Sequence, residues 1–170
     1  MNPQQARALA SYNSWMNQRV YSLCATLTDE ERKRDHHAFF HSIHGTLNHL
    51  LLADKVWLGR FVDEPFAVEG LDQELHDEFS ALRSDRFVTD DRIGLWASTL
   101  TDSMLTEDLH YTGITQPVPR TCPLWIAVAH FFNHQTHHRG QLTTLLSQAG
   151  LDYGITDLIM LPDLFPEQNG

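Results

Sequence analysis

The sequence predicts an all-α protein, a bundle of four long helices in a single domain that spans residues 1–170. Four stretches of the chain repeat apolar residues with the 3.6-residue period of an amphipathic helix, whereas few stretches alternate as strands do. Hydrophobic residues make up 42% of the chain and are spread along its whole length. We therefore expect one substantial core and no long disordered part.

The first two long helices are separated by a short charged segment. The first helix is predicted over residues 3–27, because Asn2 can cap it and Pro3 suits its first turn. Thr28 can cap a short helix inside the charged segment. The second long helix is predicted over residues 39–61. Its apolar stripe consists of Phe40, Ile43, Leu47, Leu50, Leu51, Val56, Trp57 and Phe61.

The third helix is predicted over residues 85–108, and it can begin further upstream. An acidic connection, residues 62–84, precedes it and contains Pro65 and Gly70. This connection is long for two antiparallel neighbours, but it can cross the length of a bundle. We therefore expect the second and third helices to run parallel. The third helix contains no histidine, which makes it a poor donor of metal ligands.

The fourth helix is predicted from Thr121, as its cap, to about Ala149, with Gly150 as its C-terminal stop. Gly140 lies inside this helix and costs up to about 1 kcal/mol relative to alanine. A close helix crossing or room for a ligand would explain that cost. The tail, residues 151–170, is expected to be mostly loop.

Charge and cysteine content exclude several classes of protein. The chain has 12 basic and 22 acidic residues and a formal net charge of −10. Such a field repels phosphate backbones and anionic lipid, so we expect neither nucleic acid nor a membrane as a partner. Cys24 and Cys122 do not form a disulfide framework or a metal-binding spacing. With no apolar signal segment and no bilayer-length apolar run, a cytoplasmic location is expected.

Histidines dominate one stretch of the fourth helix. His130, His134 and His138 recur every four residues, so their imidazoles share one helix face. Two histidines at this spacing can chelate one transition-metal ion, and either His130 with His134 or His134 with His138 fits. His49, on the apolar side of the second helix, is expected to point inward, whereas His41 and His44 are more typical of ordinary polar residues. His137 is expected either at the surface or in contact with a ligand histidine without binding the metal itself.

Two stretches carry a resemblance to a known family. They are Leu47-Asn48-His49-Leu50-Leu51-Leu52-Ala53-Asp54-Lys55-Val56-Trp57-Leu58 and Asn133-His134-Gln135-Thr136-His137-His138-Arg139-Gly140-Gln141. With these residues, and with weaker matches at 12–15 and 156–158, the chain resembles the DinB/YfiT-like superfamily over nearly its full length. The second stretch is specific, and the first is specific only together with it.

The resemblance implies a four-helix bundle of up-down-down-up topology, often a homodimer, with one divalent metal bound near one end. Carried over position by position, the ligands are His49, His134 and His138. The set contains no thiolate and no carboxylate, which argues against an iron–sulfur cluster, a closed zinc–cysteine site or a non-haem iron oxygenase site. The expected ion is nickel or zinc.

The implied site has a definite chemistry. Three neutral imidazoles leave the ion its full +2 charge and at least one open position for water or substrate. Such an ion lowers the pKa of a bound thiol or water towards neutrality and so favours the nucleophilic form. Cys122 lies about three turns from His134 and is interpreted as a packing residue. The candidates for hydrogen bonds to the ligand imidazoles are Tyr12, Asn13, Asp54 and Asp157, although Asp54 can equally pair with Arg139.

Two classes of function follow. Family members of known activity include transferases and isomerases that use low-molecular-weight thiols, so the resemblance implies a metal-dependent enzyme acting on small molecules. A metal-dependent hydrolase, or a metal-binding stress-response protein without turnover, is the alternative. A deep pocket beside an open metal position would favour an enzyme, whereas a filled or occluded site would favour the protein without turnover.

Overall fold

The computed structural model describes residues 1–164, so the last six residues of the predicted domain and tail lie outside the described part. The chain is mostly helical, and no helix in residues 1–164 is long and apolar enough to cross a membrane. The elements are α1 (Pro3–Cys24), α2 (Asp29–Lys33), α3 (Ile43–Phe61), α4 (Phe79–Thr99), α5 (Asp102–Thr106), β1 (Asp108–Thr112), β2 (Pro119–Pro123) and α6 (Leu124–Gln148). Two 3-10 turns, Leu158–Met160 and Pro162–Leu164, follow.

The expectation of a purely helical chain is wrong at one place. The two five-residue strands β1 and β2 form an antiparallel pair that runs from Asp108 opposite Pro123 to Thr112 opposite Pro119. Thr121 therefore lies in a strand opposite His110 and does not cap α6, which begins at Leu124. Strands this short carry almost no periodicity, and the prolines at both ends of β2 indicated a break in structure rather than a strand.

Local capping explains most helix ends. Asn2 and Gln5 form the capping box that begins α1 as predicted, but α1 ends at Cys24, three residues earlier than predicted. Ser42 caps α3, so the predicted start at residue 39 is wrong. His41, just before this cap, has a φ of +62°, which no helix accommodates.

The other helix ends differ from the prediction to different degrees. Helix α4 begins at Phe79, six residues before the predicted residue 85, and it ends at Thr99. The short α5 then follows as a separate helix within the stretch that was predicted to continue α4. At the end of α6, Gly150 has a φ of +79°, and its N–H bonds to the Ser147 carbonyl, so the predicted glycine stop is confirmed.

The four long helices pack along their lengths, α1 against α4 and α6, and α3 against α4 and α6. Between α3 and α4, the Asp54–Arg86 ion pair is followed further along both helices by the Phe61–Trp96 stack. Contacts between α3 and α6 run in the opposite order, since His49 meets His138 whereas Phe61 meets Phe131. These contacts place the middle of α3 beside the middle of α6, where the histidines lie.

Two apolar clusters occupy the interior. One surrounds Tyr21, Leu47 and Leu146, and the other surrounds Trp96 and Phe131. Polar residues that are also buried include Arg86, Asp54 and Asp90, which form an ion-paired group between α3 and α4. This packing holds both histidine-bearing helices in fixed relative positions.

Candidate metal centre

Three imidazoles meet between α3 and α6. His134 and His138 lie one turn apart on α6, and His49 faces them from α3. The Nε2 atoms of His49 and His138 are 3.2 Å apart, and those of His138 and His134 are 3.1 Å apart. Two nitrogens that each lie about 2.0–2.1 Å from one zinc ion are separated by about 3 Å, so these spacings fit a shared ion.

Hydrogen bonds behind two of the rings fix which nitrogen carries the proton. His49 Nδ1 lies 2.9 Å from the Leu71 carbonyl oxygen, and His138 Nδ1 lies 2.8 Å from Gln141 Oε1. Both partners accept, so each Nδ1 donates, and in a neutral imidazole the Nε2 then carries a lone pair. Two lone pairs that face each other at 3.2 Å repel, and a cation between them removes that repulsion.

The environment keeps the three imidazoles neutral. Burial lowers the pKa of His49 to about 4, although the bond to Leu71 opposes the shift. Burial and then the neighbouring histidines, first His138 and His49, lower the pKa of His134 to about 3. Burial also lowers the pKa of His138. Near neutral pH all three are therefore in the form that binds a metal ion.

An aromatic ring covers one side of the cluster. Phe40 stacks on His49 with ring centroids 3.8 Å apart and meets the His138 ring edge-on at 5.4 Å. The turn that precedes α3 supplies this ring, and Gly45 permits the turn because a Cβ there would collide with the Phe40 carbonyl oxygen. Phe40 was predicted on the apolar stripe of the helix, and it instead forms a wall that limits the access of water to the imidazoles.

The imidazoles open on a large pocket. This pocket has a volume of about 1010 Å³ and includes all three histidines in its wall. Four acidic residues of the wall come from the 62–78 connection, and they are Glu69, Asp72, Glu74 and Asp77. A second pocket of about 540 Å³ borders the other side of His49 and His134. The cluster therefore has room on both sides for a small molecule.

The other histidines lie apart from the cluster. His130 is exposed and packs against Trp57 at 5.0 Å between ring centroids, and His137 is exposed and accepts from the Gln141 amide at 3.3 Å. His41 is exposed, whereas His44 is buried and bonds to the His76 carbonyl oxygen at 2.8 Å. Of the two possible histidine pairs on α6, the structure thus brings His134 and His138 to His49.

The expected polar partners do not hydrogen-bond to the three imidazoles in the described chain. Asp54 pairs with Arg86 at 2.6 Å, so its alternative pairing with Arg139 is wrong. Asn13 bonds to Asp90 at 3.1 Å and accepts from Arg139. Tyr12 donates to the Thr156 carbonyl oxygen, and Asp157 precedes the first 3-10 turn.

The hydrogen bonds to the imidazoles of His49 and His138 come instead from Leu71 and Gln141. Only one of these two partners could have been predicted from the sequence. Gln141 lies three residues after His138, a spacing that puts both on one helix face, so the sequence held a signal for it. Leu71 contributes only its carbonyl oxygen, which every residue type has, so no sequence signal existed.

Both cysteines lie outside the histidine cluster. Cys24 is buried and free, and burial raises the pKa of its thiol to about 12. Cys122 is half-buried in β2, opposite Leu109, and does not line either pocket at the histidines. The interpretation of Cys122 as a packing residue agrees with this position. A thiol that reacts at this site would therefore have to come from outside the chain.

Comparison with known proteins identifies the family of this chain. The family model described as "DinB family" matches residues 1–168, nearly the whole chain. The chain belongs to the DinB family. Protein DinB of Bacillus subtilis (strain 168) is 27% identical over 158 residues, which cover 86% of this DinB-family chain and 90% of that protein.

A solved structure agrees on the fold. The crystal structure of a DinB-like protein from Bacillus cereus ATCC 10987 matches with a TM-score of 0.57 and 24% sequence identity. The match covers 82% of this chain and 89% of that one. At this identity the likeness extends to the fold alone, and the chemistry of the site has to be argued from its own residues.

Proposed function

We propose that this DinB-family protein binds one divalent transition metal, nickel or zinc, through His49, His134 and His138. The observation that carries the proposal is the convergence of three Nε2 atoms, two of them in lone-pair form because Leu71 and Gln141 accept hydrogen bonds from the Nδ1–H groups. All-nitrogen ligation suits nickel and zinc.

We further propose that the metal serves catalysis on a small molecule, of the thiol-dependent S-transferase or isomerase type. Three ligands leave part of the coordination sphere open, and a pocket of about 1010 Å³ lies beside it. A bound ion would supply the pKa drop that turns a thiol into a thiolate at neutral pH. Since neither cysteine reaches the site, the thiol would be a low-molecular-weight co-substrate.

The chain's own residues have positioning tasks in this proposal. Leu71 and Gln141 hold the ring planes of His49 and His138 so that their Nε2 atoms face the centre. Phe40 covers the His49 ring and limits water on that side. The acidic wall from the 62–78 connection gives the large pocket a negative potential, which favours a substrate part that carries positive charge.

Two alternatives come from different classes, a metal-dependent hydrolase and a metal-binding stress-response protein without turnover. The open pocket favours an enzyme over the protein without turnover. The pocket does not separate thiol transfer from hydrolysis, because a metal lowers the pKa of water as it does that of a thiol.

The test begins with metal analysis of protein purified without an affinity tag, where we expect about one nickel or zinc ion per chain. The loaded protein is then screened with a chromogenic electrophile and a panel of small thiols, and in parallel with ester substrates. Thiol transfer that disappears in His134→Ala supports the proposal. Ester hydrolysis without thiol transfer supports the hydrolase, and a loaded protein inactive in both screens supports the protein without turnover.

We also propose that the four long helices form the up-down-down-up bundle, that the chain is one domain over residues 1–170, and that it works as a cytoplasmic homodimer. The helix directions draw support from the order of contacts between α3 and its two neighbours. Light scattering that gives twice the 19.5 kDa chain mass would support the dimer, and a monomer across a wide concentration range would contradict it. Cell fractionation tests the location.

A further inference from the structure

The smaller pocket differs in charge from the larger one. Its wall includes Arg60 and Arg120 but no acidic residue, whereas the wall of the larger pocket has four acidic residues and Lys33. Lys33 is already paired with Asp29 and Asp77. In residues 1–164 neither of the two arginines forms an ion pair with a carboxylate. Both arginines therefore bring positive charge to this pocket that no carboxylate of its wall compensates.

Arg60 is held in place by its surroundings. Its guanidinium carbon lies 4.5 Å from the Trp57 ring centroid and 4.7 Å from the Tyr111 ring centroid. One of its nitrogens, Nη2, donates to the Thr112 carbonyl oxygen at 3.0 Å. An arginine with its orientation fixed in this way loses little conformational entropy when it binds an anion, and its fork of donors matches a carboxylate.

Arg120 reaches the same pocket from β2. Its Nη2 lies 3.3 Å from Gln116 Oε1, a neutral acceptor that leaves the charge uncompensated. The β1–β2 pair thus has a role in the site, because Tyr111 comes from β1 and Arg120 from the opposite residue on β2. Two separate elements, α3 and the strand pair, therefore place cationic groups around one space of about 540 Å³.

The pocket is continuous with the histidine cluster. His49 and His134 belong to the walls of both pockets, and so do Leu71, Ile114 and Thr115. A row of rings leads from His134 to His130, with centroids 5.8 Å apart, and from His130 to Trp57, 5.0 Å apart. Arg60 lies against the far ring of this row. The imidazoles and the arginine therefore border one continuous space.

We propose that Arg60 and Arg120 bind the carboxylate of a small-molecule substrate whose other end reaches the metal. This inference rests on the proposed function for the metal end, but the carboxylate site itself does not need the ion. The arginines bind the anionic end, and the acidic wall of the larger pocket repels it. This separation of charge fixes the orientation in which a substrate enters.

The test compares 3-mercaptopropionate with its methyl ester on tag-free, full-length protein loaded with Co²⁺, whose absorption changes when a thiolate binds. We expect the acid to bind about tenfold more tightly than the neutral ester. The net charge of −10 would by itself favour the ester, so a preference for the acid reports a local cationic site. Equal affinities, or tighter binding of the ester, would overturn the proposal.

Variants of the two arginines test whether these residues cause the preference for the acid over the ester. Arg120 is exposed, so Arg120→Gln should fold normally. Arg120→Gln and Arg60→Gln should each reduce the preference for the acid severalfold. Arg34→Gln, at an exposed arginine outside both pockets, is the matched control and should keep the full preference. An unchanged preference in Arg120→Gln and Arg60→Gln would show that the arginines are not the binding groups.

A metal-free arm separates this proposal from the proposed function. Propionate is titrated into metal-free protein while the Trp57 indole N–H resonance, assigned with Trp57→Phe, is followed by NMR. We expect the resonance to move in wild type, and to need severalfold more propionate for the same movement in Arg120→Gln; no movement in wild type would contradict the carboxylate site. If Co²⁺ does not bind at all, the proposed function fails, and the propionate titration alone then decides for or against the carboxylate site.

Discussion

At the scale of single residues, the histidine cluster depends on two hydrogen bonds that point away from it. The Leu71 carbonyl oxygen and Gln141 Oε1 accept hydrogen bonds from the Nδ1–H groups of His49 and His138, and this leaves the Nε2 lone pairs directed at one another. Burial keeps these rings neutral. A divalent ion bound between these lone pairs would remove their mutual repulsion.

Replacing single histidines should separate ligands from neighbours. We expect His49→Ala, His134→Ala and His138→Ala each to lower metal stoichiometry well below one at low micromolar metal, because two imidazoles hold an open-site ion poorly. His130→Ala and His137→Ala are the matched controls and should remain loaded. Elemental analysis after desalting measures the result. Full loading of His134→Ala, or loss of metal in His130→Ala but not in His138→Ala, would contradict the assignment.

The pKa shifts predict how metal-free protein responds to acid. An ordinary histidine has a pKa of 6.5, whereas His49 has a pKa of about 4 and His134 of about 3 in the folded state. Above pH 6.5 both histidines are neutral in the folded and in the unfolded chain. Below pH 6.5 the histidines of the unfolded chain bind protons, whereas those of the folded chain stay neutral until the pH reaches their lower pKa values. The free energy of unfolding should therefore fall as the pH drops from 6.5 to about 3, the pKa of His134.

Urea unfolding in the presence of EDTA, at several pH values, measures this fall. His134→Gln removes one of the two largest pKa shifts and should make the fall shallower. His110→Gln, at an exposed histidine outside the cluster, is the control and should leave the fall as in wild type. A His134→Gln variant with the same pH slope as wild type would show that this imidazole does not resist protonation in the folded state.

At the scale of elements, two glycines have opposite roles in α6 and at its C-terminal end. Gly150 follows the helix with a φ of +79°, which an alanine reaches only with strain. Gly140 lies inside the helix on an exposed face, and a Cβ there would have no neighbouring atom within 4 Å. Of the two explanations considered for Gly140, a close helix crossing is therefore wrong, and its propensity cost has no compensating contact in the described chain.

This contrast makes a paired prediction. Gly140→Ala should raise the free energy of unfolding by up to about 1 kcal/mol, the difference in helix propensity. Gly150→Ala should lower it by about 1 kcal/mol, since the residue keeps a left-handed conformation. Urea titrations of both variants and wild type measure the two shifts. Destabilisation by Gly140→Ala would indicate that something outside the described contacts, such as a partner or ligand, approaches that face.

At the scale of the whole molecule, a buried charged group ties the helices together. Arg86 is 1% exposed and lies between Asp54 on α3, at 2.6 Å, and Asp90 on α4, at 2.8 Å. Burial raises the pKa of both carboxyl groups, and the guanidinium opposes that shift. Asp90 also accepts from Asn17 on α1, and Asp54 accepts from Gln135 on α6, beside His134.

Removing the central charge should therefore be costly. Arg86→Met leaves two buried carboxylates without their counter-ion, and we expect it to lower the free energy of unfolding by about 3–5 kcal/mol. Arg34→Met, at an exposed arginine, is the control and should change stability by less than about 0.5 kcal/mol. Chemical unfolding measures both variants. A loss below about 1 kcal/mol for Arg86→Met would show that the group contributes little to the fold.

The charge of the whole molecule also predicts what it does not bind. With a net charge of −10, the protein should have no useful affinity for DNA, because phosphate contacts need clustered basic residues. A gel-shift titration at low salt, with and without bound metal, checks this. Salt-dependent binding at micromolar protein would contradict it.

Much of the candidate site was predictable because its signals are local. The spacing of His134 and His138 puts both on one helix face, and the apolar neighbours of His49 indicated its inward direction. The cap at Asn2 and the stop at Gly150 likewise depend on hydrogen bonds between residues a few positions apart. Each of these features is governed by helix geometry, so the sequence alone determined them.

Only the tertiary structure decided which distant groups meet. The Leu71 carbonyl behind His49, the pairing of Asp54 with Arg86, and the approach of Arg60 and Arg120 to one pocket join residues from separate elements. The short strands β1 and β2 are of the same kind, because their hydrogen bonds exist only between the two segments. Such contacts form only when the whole chain packs, so no local pattern of residues predicts them.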